Sequence, residues 1–186
     1  MKHTLPLLAL VAAASAQTAP ASGLNYDLLS FSRHQRQNTV SAQTTLKDTN
    51  ILVGISTTSG QETDYTYGQI NVGYIFKNVT NGIDATVSAI QTNGDSTVFS
   101  VVLRRQWNEV YQGLEISAGY AGTLSSQTRS TFVMAGTSLD RAQSASFIEL
   151  AYNYNKTYSL AVGLVKGDSL SQYTSRATVF SVRAGF

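Results

Sequence analysis

Ala177-Thr178-Val179-Phe180-Ser181-Val182-Arg183-Ala184-Gly185-Phe186 is the stretch on which the reading of this chain turns. Taken at every second residue back from Phe186, it gives Phe186, Ala184, Val182, Phe180 and Thr178. The interleaved residues are Gly185, Arg183, Ser181 and Val179. One series is apolar and aromatic; the other is small and polar, with one charge. Side chains that alternate with period 2 belong to a β-strand between two unlike environments.

The same alternation recurs upstream. Tyr158, Leu160, Val162 and Leu164 oppose Ser159, Ala161 and Gly163, and Ile148, Leu150, Tyr152 and Tyr154 oppose Phe147, Glu149, Ala151 and Asn153. Leu114, Ile116, Ala118 and Tyr120 oppose Glu115, Ser117, Gly119 and Ala121, and Phe99, Val101, Leu103 and Trp107 share one face. Ile83 to Thr92, Tyr67 to Lys77 and Ile51 to Thr58 read alike, Thr39 to Lys47 more weakly. Leu24 to Ser32 sets Leu24, Tyr26 and Leu28 against Asn25 and Asp27. The breaks carry turn chemistry such as Asp48-Thr49-Asn50 and Asn93-Gly94-Asp95. Ten strands of about ten residues result, the length a tilted strand needs to cross a hydrocarbon layer. Thr131 to Ser138 reads as a hairpin arm or strand extension in the long break from Leu124 to Ser144. Eight strands is the alternative, if Thr39 to Lys47 is not one.

The front of the chain reads as a removable leader. Met1-Lys2-His3 is basic, Leu5 to Ala14 is apolar, and Ala14-Ser15-Ala16 is a small-x-small cleavage site. Residues 1–16 are therefore expected to be a signal peptide for export, 17–23 a flexible lead, and 24–186 a single domain. The 186 residues include no cysteine, so the fold needs no disulfide. Charged residues are 13% of the chain, about half the usual quarter. Mean hydropathy is only −0.06, as when outward apolar and inward polar residues average out. A formal charge of +2 gives no field to hold nucleic acid.

In these features the chain resembles small bacterial outer-membrane β-barrel proteins of the porin-like class. The resemblance lies in strand pattern and strand ends and carries no activity motif. It implies an all-β fold: a closed antiparallel up-and-down transmembrane β-barrel in the outer membrane. Backbone groups in lipid must all be paired, so the sheet closes, and antiparallel closure favours an even strand number. Residues 47–50, 78–82, 108–112 and 155–157 become periplasmic turns. The connections at 33–38, 59–66, 93–96, 124–144 and 166–176 face outside. Phe76, Trp107, Tyr111, Tyr154, Tyr158 and Phe186 then fall at periplasmic strand ends, as a membrane girdle of amphipathic rings. Tyr65, Tyr67, Phe132 and Tyr173 form a sparser outer one. A soluble β-sandwich also alternates but leaves the aromatic strand ends unexplained. The resemblance further implies outer-membrane lipid as surroundings and a barrel assembly machinery that reads the terminal strand ending in Phe186.

The polar series carries charges of both signs: Asp27, Asp84, Glu115 and Glu149 against Lys77, Arg104 and Arg183. Buried charges persist when paired, and a small barrel is barely wide enough for its own side chains. This predicts a lumen plugged by charge pairs, with a structural role or one in binding an envelope partner through the outer loops. The alternative is a narrow passive channel with a charged constriction, which the small inner residues Gly73, Gly119, Ala121, Ala161 and Gly163 favour. A second alternative is a lipid or peptide hydrolase using His34 with Ser30, Ser32, Glu62 or Asp64, although no spacing demands a triad. Arg33, His34 and Arg36 form a candidate contact with anionic headgroups. Asn78-Val79-Thr80 and Asn155-Lys156-Thr157 read as turn chemistry, and no cofactor or metal motif is present.

Overall fold

The computed structural model describes residues 24–34, 37–60, 66–93, 97–123, 130–134, 137–169 and 176–186, with backbone alone for 130–134, 137–142 and 168–169. The leader and lead expected over residues 1–23 lie outside these. The strands are β1 Leu28–His34, β2 Gln37–Thr45, β3 Ile51–Gly60, β4 Thr66–Thr80, β5 Ile83–Thr92, β6 Val98–Gln106, β7 Leu114–Thr123, β8 Ser130–Met134, β9 Thr137–Asn153, β10 Tyr158–Ser169 and β11 Arg176–Gly185. No helix occurs among the described residues.

Each strand from β1 to β6 pairs antiparallel with the next. β7 then pairs with β9, β9 with β10, β10 with β11, and β11 returns to β1. That ring has ten members, and it is a closed barrel. β8 is outside it and pairs only with β9, in the register Met134↔Thr137, Val133↔Ser138 and Phe132↔Leu139. Thr131–Ser138 is thus the arm of a hairpin, and the weakly patterned Thr39–Lys47 stretch supplies a full wall strand in β2.

Short turns gather at one end, at residues 46–50, 81–82, 107–113 and 154–157. Left-handed residues tighten three of them: Asp48 at φ 57°, Asn81 and Gly82 at 45° and 75°, and Gly113 at 83°. In the fourth, Asn155 Oδ1 accepts the backbone N–H groups of Thr157 and Tyr158 at 2.8 and 2.7 Å. Asn78, at φ 50°, accepts the Gly82 N–H at 2.9 Å. Both Asn-x-Thr sequences are therefore turn chemistry. This is called the turn end below, and the opposite one the loop end.

The alternation sorts side chains as a lipid-immersed barrel requires. Ile70, Val72, Tyr74 and Phe76 on β4 face outward, as do Leu160, Val162 and Leu164 on β10, all exposed. Ile70 to Phe76 alone spans about 20 Å of strand. A soluble monomer rarely exposes continuous apolar surface on this scale, and here it runs around the wall. The inner face holds Ser32, Thr39, Thr58, Gln69, Ser88, Ser100 and Ser117, all buried.

The first segment departs from its sequence reading. The strand starts at Leu28, and the even-numbered residues point inward. Leu24 and Tyr26 are 1% and 2% exposed and pack with Leu52 and Ile75 inside the turn end of the barrel. The physical reason lies downstream: Leu29 and Phe31 form the apolar outer face, and Ser30 and Ser32 the inner one. Period 2 carried back from there turns Tyr26 inward.

Candidate functional site

The lumen is built from facing hydroxyls. Ser30 and Ser41 Oγ atoms are 2.6 Å apart, Ser32 and Ser181 2.9 Å, and Thr39 and Thr58 Oγ1 atoms 2.8 Å. Gln69 Nε2 donates to Thr92 Oγ1 at 2.5 Å. Each pair joins inward residues directly opposite each other on neighbouring strands. These pairs satisfy their own polar atoms, whereas the buried Thr86 Oγ1 has no partner among the described residues.

Below this level, towards the turn end, lies the charge cluster. Arg104 on β6 donates from Nε to Glu115 Oε1 at 2.9 Å and from Nη1 to the Asn25 carbonyl at 3.1 Å. Its Nη2 lies 2.8 Å from the same Glu115 oxygen. Arg183 Nη2 on β11 donates to Glu149 Oε1, which also receives the Ser117 hydroxyl at 3.2 Å. The Arg104 guanidinium sits 4.6 Å from the centre of the Tyr26 ring, within cation–π range. The Tyr26 hydroxyl donates to Asp84 Oδ2 at 3.0 Å, and the Asn78 backbone N–H to Asp84 Oδ1 at 2.8 Å. Five of the seven charges read from the sequence therefore meet, with Tyr26 as the bridge between Asp84 and Arg104.

The other two stand apart. Asp27 is buried, but it accepts the Thr44 hydroxyl at 2.8 Å and the Thr45 N–H and hydroxyl at 2.7 and 3.1 Å. It ties the entry of β1 to the end of β2, because its odd number turns it away from the lumen. Lys77 is exposed, since the β4–β5 register shifts between Phe76 and Thr80 and carries it out past the regular wall. Arg105 faces outward and pairs with Glu109 of the adjoining turn at 2.6 Å. That pairing, after its own backbone N–H, holds the Glu109 carboxyl below its ordinary range.

Two cavities meet at this cluster. A chamber of about 250 Å³ in mid-barrel is lined by Ser41, Ser56, Ser88 and Ser100, with Tyr26 at its floor. A vestibule of about 700 Å³ opens at the turn end, between Asn25, Gln106, Tyr111, Asn153 and Lys156. The residues lining both are Leu28, Arg104 and Arg183. These three form the waist between the two spaces, and both arginines are fixed there by carboxylates.

Towards the loop end one side of the lumen is apolar, which the sequence reading did not foresee. Val98, Ala121, Ala145, Val165, Ala177 and Val179 form a buried cluster with Ile90 and Phe147 against it. Gly119 makes room for this filling, and Gly73 for a lumen hydroxyl. A Cβ on Gly119 would lie 2.3 Å from Phe147 Cε1, and one on Gly73 2.2 Å from Ser88 Oγ. Their space is occupied by neighbouring side chains. The arm enters here as well: β8 approaches β5, and β9 approaches β1 and β2 across the ring. From Ser144 onward β9 is held in the wall by β7, and from Ala142 by β10. The approach therefore comes from the segment before Ala142, so the hairpin leans over the lumen.

His34 is 4% exposed and faces inward, with Nδ1 2.9 Å from the Thr178 carbonyl oxygen and Nε2 unpartnered among the described residues. Ser30 and Ser32 bond Ser41 and Ser181, so neither serves His34; Glu62, Asp64 and Arg36 lie outside the described residues. Arg33 is exposed on the outer wall. Successive strand residues point to opposite faces, so His34 does not share a headgroup contact with Arg33. The six aromatics Phe76, Trp107, Tyr111, Tyr154, Tyr158 and Phe186 are all exposed at the turn end. In the outer set Tyr67 is described and half-buried; Tyr65 and Tyr173, and the Phe132 side chain, lie outside the described residues.

A closed ten-strand barrel, apolar outside, hydroxyl-lined and ion-paired inside, with tight turns at one end, is the fold of a small porin-like outer-membrane β-barrel. Solved structures give particular likenesses. A KdgM porin superposes with a TM-score of 0.50 at 9% identity, over 86% of this chain and 99% of that one. A NanC porin in a rhombohedral crystal form does so with 0.50 at 8% identity, over 86% and 98%. These likenesses establish the fold. No protein-family model and no curated protein matches the sequence.

Proposed function

We propose that the protein is a narrow passive channel of the bacterial outer membrane, with its turn end in the periplasm and its loop end outside. The observation that carries this is the meeting of the mid-barrel chamber and the turn-end vestibule at Leu28, Arg104 and Arg183. A waist fixed by ion pairs is a selectivity element: it admits small solutes and sorts them by charge. That both superposed structures are named porins supports the reading. The exposed aromatics at the turn end serve as interface anchors, and Phe186 is presented to the assembly machinery.

The second reading, a plugged barrel with a structural or partner-binding role through its loops, draws on the apolar cluster and the overhanging hairpin. Planar bilayers separate the two. The channel reading expects discrete single-channel steps that grow when Arg183→Ser widens the waist. A purified, heat-modifiable barrel that gives no steps supports the plug and ends the channel reading.

A further inference from the structure

We infer that the outer wall formed by β9, β10, β11 and β1 carries a binding site for the phosphate groups of an acylated membrane lipid, with Arg33, Lys166 and Arg176 as its ligands. Each of the three is exposed on the lipid-facing row of its strand towards the loop end. The outer row of β1 reads Leu29, Phe31, Arg33; that of β10 includes Val162, Leu164, Lys166, before the register shift at Gly167 and the strand end at Ser169; that of β11 runs from Phe180 through Thr178 to Arg176. They border one groove of about 890 Å³ in the wall. Small outward residues, Ser146 and Thr178, leave the depression, and Ile148, Leu164 and Phe180 continue it towards the turn end.

Two further observations point to an anionic occupant. Lys166 and Arg176 are directly opposite each other in the β10–β11 ladder. Like charges so placed repel and destabilise a sheet, and a phosphate between them reverses the sign. None of the three cations is in an ion pair among the described residues, whereas Arg105, which also faces outward, is paired with Glu109. The cations are also confined to one arc. Around β2 to β7 the loop-end outward positions are Asn38, Ser59, Thr66, Gln91, Phe99 and Gly122, all uncharged. A general attraction to an anionic surface would not need that asymmetry. Cationic forks above an apolar groove match a phosphorylated headgroup above acyl chains. The lipid belongs to the leaflet at the loop end, and the site is separate from the lumen.

The test is native mass spectrometry of the full chain in micelles, titrated with bisphosphorylated lipid A or with zwitterionic phosphatidylethanolamine. With about fivefold contributed by each cation near a membrane surface, wild type should retain lipid A on the order of 100-fold more tightly than the variant Arg33→Gln/Lys166→Gln/Arg176→Gln. Lys166→Gln alone should lose about fivefold, which keeps the test open if the triple variant does not fold, and Lys166→Arg should retain the wild-type affinity. Excess inorganic phosphate should not displace the lipid, and channel conductance should be the same in wild type and triple variant. Equal retention of the two lipids by wild type, undiminished retention by the variants, or full displacement by phosphate would each overturn the site.

Discussion

Arg183→Ala is the perturbation whose cost follows most directly from the geometry. The Arg183 guanidinium is bonded to Glu149, and the Glu149 side chain is 4% exposed. Without Arg183, Glu149 keeps the Ser117 hydroxyl at 3.2 Å as its described side-chain partner. Removing one member of a buried ion pair costs about 3–5 kcal/mol, since a charge is left behind without compensation. Arg183 also lines the chamber and the vestibule, so water reaches the orphaned carboxylate, and the loss should fall near the lower bound. About 3 kcal/mol is roughly a 100-fold change in the unfolding equilibrium. Urea unfolding of the refolded barrel in micelles, followed by heat-modifiable gel mobility, measures it. Adding Glu149→Gln to Arg183→Ala removes the stranded charge and should recover most of the loss. Lys77→Ala, at an exposed position, should stay within about 0.5 kcal/mol of wild type. An Arg183→Ala barrel as stable as wild type, or a double variant no better than the single one, would refute the ion-paired waist.

Tyr26→Ala removes the ring beside Arg104 and the hydroxyl on Asp84; it should cost about 3–5 kcal/mol in urea unfolding and raise single-channel conductance by clearing the chamber floor. Gly119→Ala puts a Cβ 2.3 Å from Phe147 and should cost about 1–3 kcal/mol by overpacking, with Phe147→Leu restoring stability in the same assay. His34→Ala should leave lipid-A deacylation and peptide cleavage at the background level of the wild-type barrel; an activity in wild type that this variant abolishes would revive the hydrolase reading.

The barrel itself was legible because lipid outside and hydroxyls inside impose the alternation on every wall strand. Ile70-Asn71-Val72-Gly73-Tyr74 states its two faces outright. Even the hairpin arm could be read, because an eleventh strand conflicts with antiparallel closure. The interior was less legible. Arg104, Glu115, Glu149 and Arg183 declare themselves as charges on the inner series; Arg104 and Glu115 meet across the neighbouring strands β6 and β7, but Arg183 reaches Glu149 past the intervening β10, which requires the register of three strands. Tyr26 was misplaced because an apolar residue at a strand end fits either face, and only Ser30 and Ser32 downstream fix the parity. Lys77 was misplaced because a register shift between Phe76 and Thr80 leaves no mark in composition. The apolar lumen side was hidden for another reason: Val179 already lies on the inner series of its strand, but that Val98, Val165 and Val179 pack against one another is fixed only by the partner strands.

The central claim is that solute passes through the lumen between Arg104 and Arg183. The chain has no cysteine, so Ser56→Cys places a single thiol in the mid-barrel chamber. A charged methanethiosulfonate reagent is added to the turn-end side of a bilayer holding one Ser56→Cys channel. The account predicts one irreversible downward step in current, absent in wild type. A current that persists unchanged after mass spectrometry shows the thiol to be modified would place the pathway outside this lumen and contradict the account.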